Sequence, residues 1–223
     1  MARDYTKEYQ EIIRESFELG QDPRQLAYDY VAWQNYTQPN IENIISVPVK
    51  ETALDIGCAY GTTSVFLKKI GWNKVIGIDI TDRYYVNKNL FDKYQIGFKQ
   101  SNIMTDSIPS ADLIVFTEIL EHLCGDIQGI FNKLSDALNP DGYIVLSTPL
   151  KGVYCAEPIG KDLTSYMELM KFQGDINSPI DDHYYLYSPG EIEELCKNAN
   201  LVIKKQNIEK WIHYLLQKSQ LAS

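Results

Sequence analysis

Short apolar runs alternate with longer amphipathic segments along most of the chain. The apolar runs carry the aliphatic and β-branched residues of buried strands, and the segments between them have helical spacing. This alternation favours a parallel sheet covered by helices on both faces. We predict strands at residues 52–56, 74–79, 96–101, 112–116, 143–148 and 201–206. The sequence therefore predicts an α/β fold with a doubly wound, mostly parallel sheet.

Local signals mark several element boundaries. The aromatic-rich segment before the first strand has helical spacing at 25–36. Residues 138–142, Leu-Asn-Pro-Asp-Gly, are expected to end one helix and turn the chain into the strand at 143. Residues 188–191, Ser-Pro-Gly-Glu, predict a capped helix start with an acid at the third helical position. The last apolar run, 211–217, fits either a strand or a terminal helix.

Residues 53–61 place an acid and two glycines where the first strand turns into a helix. Gly57 lets the backbone turn sharply and approach a ligand, and Gly61 lets a helix at 62–70 start close to the strand. Asp55, at the strand's end, can bond a cationic or hydroxylic ligand. The Gly-x-x-x-Gly spacing differs from the nicotinamide fingerprint Gly-x-Gly-x-x-Gly, which disfavours a dehydrogenase. A buried strand that merely ends in glycine turns is the alternative interpretation.

A second acid lies at the end of the next predicted strand. Asp79 ends the run 74–79, about where a ribose-binding carboxylate is expected after such a loop. Residues 54–61, Leu-Asp-Ile-Gly-Cys-x-x-Gly, and 75–79, Val-Ile-Gly-Ile-Asp, resemble the first two motifs of class I S-adenosylmethionine (SAM)-dependent methyltransferases. The resemblance covers roughly 52–217 and is strongest through Pro149. It implies a Rossmann-like methyltransferase fold of seven strands, in which 211–217 is an antiparallel edge strand in a hairpin.

The resemblance also implies how the chain is organised and which cofactor it uses. One methyltransferase domain, 1–223, would contain a helical cap (1–48), a cofactor-binding core (49–149), a substrate-lid insertion (150–187) and the C-terminal part of the sheet (188–223). SAM is the implied cofactor and S-adenosylhomocysteine the product. The expected reaction is methyl transfer to an oxygen or nitrogen atom of a small-molecule acceptor.

The residues expected to bind the cofactor follow from the same resemblance. Asn102 can accept a hydrogen bond from the adenine amino group, although Asp is commoner there, and Met104 lies against the adenine or in the core. Glu118 is expected beside the methionine part. The full expected set is Asp55, Gly57, Cys58, Gly61, Asp79, Ile80, Asn102, Ile103, Met104, Thr117 and Glu118.

Two acids and a histidine follow the fourth strand, at the sheet edge where open α/β sheets bind ligands. If the turn is helical, Glu118, Glu121 and His122 share one face at i, i+3 and i+4. His183 approaches the same edge from the insertion. An imidazole suits a general base near neutral pH, so the expected catalytic residues are His183, favoured over His122, and Glu118. A structural role remains open for His122 and is expected for His213.

Aromatic residues cluster in the two segments expected to cover the cleft. Tyr30 and Tyr36 are candidate lid residues, although such rings also serve simply to pack a helix onto a sheet. The insertion is rich in tyrosine and is placed to shape a substrate pocket. This composition hints at an aromatic or otherwise flat acceptor, such as a metabolite or a natural-product intermediate.

Composition narrows the class of protein. The 223 residues carry a net charge of −9, which makes nucleic acid an unlikely partner. Neither a membrane-spanning run nor a signal-peptide core is visible, so a cytoplasmic location is expected. The four cysteines form no Cys-x-x-Cys pair and are expected to be free thiols. The oligomeric state is not fixed by the sequence, and a homodimer is compatible with it.

Two other functions fit parts of the pattern. Glu118, Glu121, His122 and His183 could form a mixed oxygen and nitrogen site for a divalent metal. That arrangement resembles the metal-dependent 2′-O-methyltransferases that act on the 3′ end of small RNA, although the acidic charge opposes it. A cofactor-binding but inactive partner subunit is the other alternative. Our preferred assignment has no metal ligands.

Overall fold

The computed structural model describes residues 5–20, 23–82, 88–153 and 183–219. Most of the predicted substrate-lid insertion, including Cys155, lies outside the described residues. The chain divides into two compact units, Met1–Ser101 and Asn102–Ser223.

The first unit begins with helices and continues as alternating strands and helices. Its helices are α1 (Tyr5–Gly20), α2 (Pro23–Ala32), α3 (Gln38–Ser46), α4 (Thr62–Lys69) and α5 (Lys88–Tyr94). Its strands are β1 (Thr52–Ile56), β2 (Lys74–Asp79) and β3 (Gly97–Gln100). All three strands are parallel, with β2 in the centre, and Asp55 is level with Gly77. The prediction of parallel strands joined by helices is confirmed here.

The N-terminal helices present apolar residues to the interior of this unit. Tyr9, Ile12 and Ile13 of α1 are almost completely buried. The helix predicted at 25–36 is formed by α2 and by a π-helical turn at Trp33–Thr37. The predicted N-terminal helical region is therefore present, with a wider turn in its middle.

The second unit contains the remaining four strands. They are β4 (Ala111–Thr117), β5 (Leu138–Pro149), β6 (Leu201–Ile208) and β7 (Trp211–Lys218). Between them lie a 3₁₀ turn (Leu120–His122), α6 (Ile127–Ala137) and α7 (Pro189–Asn198). The order is β4-β5-β7-β6, with β4 and β5 parallel and β7 antiparallel to both of its neighbours. The helix at 188–191 starts as predicted, because Ser188 and Glu191 form a capping box.

The run 211–217 is a strand, but its predicted position at the edge is wrong. β7 lies between β5 and β6. Residues 212–216 are all buried, as expected for a strand covered on both faces, whereas most of β6 is exposed. The polar residues of β6, which include Lys204 and Lys205, suit the outer position because charged side chains discourage pairing at a sheet edge.

Residues 138–142 also differ from their prediction as a simple turn. Helix α6 ends at Ala137 and β5 begins immediately, at Leu138. Leu138 pairs with Ala111 and Tyr143 pairs with Leu113, so an irregularity in the ladder contains 139–142. Asp141 takes a positive φ of 60° there. The Pro-Asp-Gly signal therefore marks a bulge within a strand.

The two units together contain seven strands with flanking helices, all parallel in the first unit and mixed in the second. The predicted fold class is confirmed. None of the described helices has the length and apolar character needed to cross a membrane.

Gly61 is constrained in two ways. Its φ is +81°, and a Cβ added there would lie 2.1 Å from Cε2 of Phe91 in α5. The close neighbour that requires glycine is therefore this ring, rather than the strand expected from the sequence.

We predict that Gly61→Ala lowers the free energy of unfolding by about 2–4 kcal/mol, because it adds left-handed strain to overpacking. Gly190→Ala is the matched control, since a Cβ at Gly190 meets nothing within 4 Å. Urea unfolding measures both. If the free energy of unfolding changed by the same small amount in the two variants, the packing constraint at Gly61 would be contradicted.

Candidate functional site

The glycine loop, residues 57–61, is fixed to the end of β2 by main-chain hydrogen bonds. The N–H groups of Gly57 and Cys58 both donate to the carbonyl of Ile78, at 2.7 and 3.1 Å. Gly57 has a φ of 71°, as the predicted sharp turn requires. The N–H of Gly61 donates to the Cys58 carbonyl at 2.7 Å. The loop is thus a tight turn that leads directly into α4.

Asp79 lies against this loop at the end of β2. Its Oδ2 accepts the N–H of Ala59 at 3.0 Å, and its Oδ1 accepts the N–H of Thr81 at 3.1 Å. A carboxylate oxygen can accept more than one hydrogen bond, which is the capacity that a contact with a ligand hydroxyl uses. The backbone therefore orients the carboxylate in the way that a contact with two ribose hydroxyls would need. Ile80, the next residue, is partly exposed.

Asp55 lies deeper in the unit than a simple ligand contact would require. Its side chain is buried, and Oδ2 accepts the hydroxyl of Ser64 at 2.6 Å. Burial raises the pKa of Asp55 to about 7; the Ser64 bond lowers it, and the nearby Asp79 carboxylate raises it. Cys58 is buried as well, and burial raises the pKa of its thiol, so it is not a reactive thiolate.

We predict that Asp55→Asn reduces the pH dependence of stability. As the pH rises, the unfolded chain loses the Asp55 proton before the folded chain does, so ionisation destabilises the fold between about pH 4 and pH 7. Relative to the parent, the variant should gain roughly 2–3 kcal/mol in unfolding free energy between pH 5 and pH 8. Urea unfolding at both pH values measures this, with the exposed Asp82→Asn as control. A difference in unfolding free energy between variant and parent that is the same at pH 5 and pH 8 would contradict the raised pKa of Asp55.

In the second unit, residues 102–104 form the turn at the predicted adenine position. Oδ1 of Asn102 accepts the N–H of Met104 at 2.9 Å. Lys133 supports the turn by donating to the carbonyl of Ile103 at 2.6 Å. Ile103 is buried, whereas Asn102 and Met104 are partly exposed. The Asn102 side chain can therefore still offer its amide donors and a second oxygen lone pair to a ligand.

Glu118 does not belong to an α-helix, so the predicted shared face with Glu121 and His122 is wrong. Glu118 takes a φ of +55° directly after Thr117, and only residues 120–122 form a helical turn, of the 3₁₀ type. Such a φ is uncommon outside glycine and turns the chain away from the helical path. Helical spacing therefore does not place Glu118 on one face with Glu121 and His122.

The Glu118 carboxylate instead connects three strands. Oε1 accepts the hydroxyl of Ser147 at 2.6 Å, and Oε2 accepts the indole N–H of Trp211 at 2.9 Å. Burial raises the pKa of Glu118, and both hydrogen bonds lower it. Thr117 pairs with Ser147 in the β4–β5 ladder. These contacts hold the end of β4 against β5 and β7.

Glu121, His122 and His183 nevertheless lie together. Oε1 of Glu121 lies 3.8 Å from Nε2 of His122, and the two histidine rings are 5.0 Å apart and nearly perpendicular. One potential ligand atom from each residue lies within 4.8 Å of the others. Glu118 is not part of this group. We call Glu121, His122 and His183 the acid–histidine cluster.

The backbone explains how His183 reaches this cluster. The N–H of Tyr184 donates to the Glu121 carbonyl at 2.7 Å, which fixes the chain next to His183 onto the 3₁₀ turn. The buried Glu121 carboxylate is oriented by Thr148, whose hydroxyl donates to Oε2 at 2.9 Å. The cluster is therefore held by the backbone next to His183 and by the Thr148 hydroxyl.

Sequence reasoning missed the residues that support the acids. Ser147 and Thr148 are polar residues at the end of the apolar strand β5, which was a usable signal. Trp211 gave no local signal, because its contact with Glu118 spans 93 positions in the chain.

Several other predicted residues can now be placed. His213 is buried in β7, and burial lowers its pKa to about 4, which fits the expected structural role. Tyr30 is 46% exposed, and Tyr36 is partly buried. Cys58, Cys124 and Cys196 are free, as predicted.

The geometry can be compared with known proteins. A family model described as a methyltransferase domain matches residues 3–206. The chain belongs to this methyltransferase family. No curated protein sequence matches the chain significantly.

Solved structures agree with this assignment. A SAM-dependent methyltransferase from Clostridium acetobutylicum is 14% identical, with a TM-score of 0.65 over 88% of this chain and 98% of the other. DhpI, solved with SAM and HEP, is 12% identical, with a TM-score of 0.63 over 97% and 99%. Human N-acetylserotonin methyltransferase, solved with SAM, is 18% identical, with a TM-score of 0.62 over 94% and 58%.

The resemblance inferred from the two motifs is therefore confirmed. The protein is a methyltransferase, and two of these similar structures were solved with SAM.

Proposed function

We propose that this methyltransferase transfers the SAM methyl group to an oxygen or nitrogen atom of a small molecule, with His183 as the general base. The observation that carries the proposal is the acid–histidine cluster. It places two imidazoles beside a buried carboxylate, just after β4. His122 and Glu118 are the other proposed catalytic residues.

The chemistry needs few protein groups. The acceptor atom attacks the methyl carbon, the carbon–sulfur bond breaks, and S-adenosylhomocysteine leaves. Since the sulfonium already activates the methyl group, most of the acceleration comes from holding the two reactants in line. A hydroxyl or ammonium acceptor must also lose a proton, and a general base contributes about 10²–10⁴-fold. An imidazole can accept that proton near neutral pH.

The surroundings of the two rings favour His183 as the base. His122 lies beside the Glu121 carboxylate. This position suits a role in orienting the cluster or in setting its net charge. His183 stands where the insertion rejoins the described chain, and that insertion is the proposed substrate lid. Glu118, engaged by Ser147 and Trp211, fits a fixed contact for the methionine part of the cofactor.

Charge and composition support a small acceptor. A net charge of −9 opposes long contacts with nucleic-acid phosphates. The tyrosines of the insertion would suit an aromatic or flat molecule, since rings stack and their hydroxyls can bond polar groups. We therefore propose a metabolite or natural-product intermediate as the acceptor.

We predict that His183→Ala slows methyl transfer by at least about 10²-fold while changing SAM affinity less than about threefold, because the base acts on the acceptor. S-adenosylhomocysteine release, measured with an acceptor found by metabolite screening, tests the rate, and calorimetry tests the affinity. His213→Ala is the control and should lower thermal stability without this selective loss of rate. A His183→Ala variant that transfers methyl groups as fast as the parent would rule out His183 as the general base.

The acid–histidine cluster also favours a second candidate function, metal-dependent 2′-O-methylation of RNA. One carboxylate and two imidazoles fit Mn²⁺ or Zn²⁺ by donor type. Glu121, His122 and His183 would hold the ion, and the ion would polarise the attacking hydroxyl. A His183 nitrogen that binds the ion cannot also take the proton from the acceptor. The same nitrogen therefore cannot serve both candidate functions.

Calorimetric titration of metal-stripped protein with Mn²⁺ and Zn²⁺ distinguishes the two candidates. The small-molecule function predicts SAM binding that is indifferent to either ion. A one-to-one metal signal that is lost in His183→Ala and kept in His213→Ala would favour the RNA function.

A further inference from the structure

Three consecutive hydroxyl residues open α4 directly after the glycine loop, and each contacts a different element. The hydroxyl of Thr62 donates to Oδ2 of Asp29 in α2 at 3.0 Å. Thr63 shares a hydrogen bond of 3.2 Å with the hydroxyl of Tyr9 in α1. Ser64 donates to Asp55 in β1. The first turn of α4 is therefore held by both N-terminal helices as well as by the sheet.

Two of these contacts, Asp29–Thr62 and Asp55–Ser64, pair a buried acid with a hydroxyl, and of these two only Asp29–Thr62 joins α4 to another helix. Asp29 is 4% exposed and Thr62 is 4% exposed, so an acid is buried in contact with a neutral hydroxyl. Burying a carboxylate is costly, and packing alone would be satisfied by an apolar residue. Part of the cost is offset because the N-terminus of a helix favours negative charge. The acid therefore marks a point where the position of α4 matters.

The adjacent loop needs such support. Gly57 and Gly61 both have positive φ, and Gly61 caps α4 without a side-chain hydrogen bond. Glycines leave a loop many conformations when it is not held, and ordering them on ligand binding costs affinity. Within α4, the N–H of Val65 donates to the Gly61 carbonyl at 2.9 Å, so holding the first turn also holds the end of the loop.

We propose that Asp29 is a positioning residue for SAM binding, which acts through Thr62 to keep the glycine loop in its binding conformation. Tyr9 assists through Thr63. The N-terminal helices are then part of the cofactor site through this support, in addition to any role as a lid. The proposal rests on the assignment of the glycine loop and Asp79 to the cofactor.

The test compares SAM dissociation constants by calorimetry. Thr62→Val keeps the shape of the side chain but removes the hydroxyl, and it should weaken SAM binding about tenfold. Thr62→Ser keeps the hydroxyl and should remain within about threefold of the parent. Asp29→Ala should weaken SAM binding at least as much as Thr62→Val, and Asp29→Asn, which keeps an acceptor oxygen, should be milder. The double variant Asp29→Ala/Thr62→Val should bind no worse than Asp29→Ala, because each single substitution already removes the Asp29–Thr62 contact.

Two controls separate positioning from general loosening. Tyr94→Phe removes the hydroxyl that bonds Glu15, a contact of α1 outside the first turn of α4, and should leave SAM affinity unchanged. Circular dichroism and thermal unfolding confirm that each variant is folded. A weakened SAM affinity in a Thr62→Val variant that keeps the parental melting temperature is the result that a loss of stability alone would not give.

Asp79→Ala distinguishes failure of this proposal from failure of the loop assignment. It should abolish most SAM affinity and leave the fold intact. If Asp79→Ala loses SAM while Thr62→Val binds it as the parent does, positioning by Asp29 is overturned and the loop assignment stands. If Asp79→Ala binds SAM normally, the loop assignment fails and the proposal fails with it.

Discussion

The contact of the Asp79 carboxylate with two backbone N–H groups is the interaction on which the proposed cofactor site depends. The bond from the Ala59 N–H joins the glycine loop to the end of β2. The bond from the Thr81 N–H fixes the orientation of the Asp79 carboxylate. The loop can turn this tightly because Gly57 and Gly61 adopt positive φ. Phe91 then occupies the space that a side chain at Gly61 would need. One carboxylate thus organises both the loop and the part of a ligand that it would bind.

The second unit uses buried acids in a comparable way. Glu118 joins the ends of three strands through Ser147 and Trp211, and Glu121 is oriented by Thr148. The Glu121 backbone carbonyl also binds the chain that carries His183. The positions of the Glu118 and Glu121 side chains and of the chain next to His183 therefore follow from hydrogen bonds to their carboxylates or backbone, which raises the energetic cost of moving any one of them.

The features that could be predicted from the sequence are those encoded by neighbouring residues. The strands β1 and β2, the loop glycines and Asp79 all lie within short segments, where apolar runs and glycine spacing are informative. The family followed from those same segments.

The features that were mispredicted depend on distant residues. The positive φ of Glu118 and its contact with Trp211 could not be recognised, because the partners are 93 positions apart. The place of β7 between β5 and β6 depends on which strand can better tolerate the exposed edge. The support of α4 by Asp29 spans 33 positions and was equally invisible.

The central claim is that SAM binds at the glycine loop and Asp79. The most direct test follows backbone amide signals by two-dimensional nitrogen–proton NMR during titration with SAM. The account predicts saturable shifts at Gly57, Cys58, Ala59 and Asp79, with little change at Val202 and Lys204 on the outer strand β6. Saturable binding that leaves the signals of residues 57–61 and 79 unchanged would contradict it.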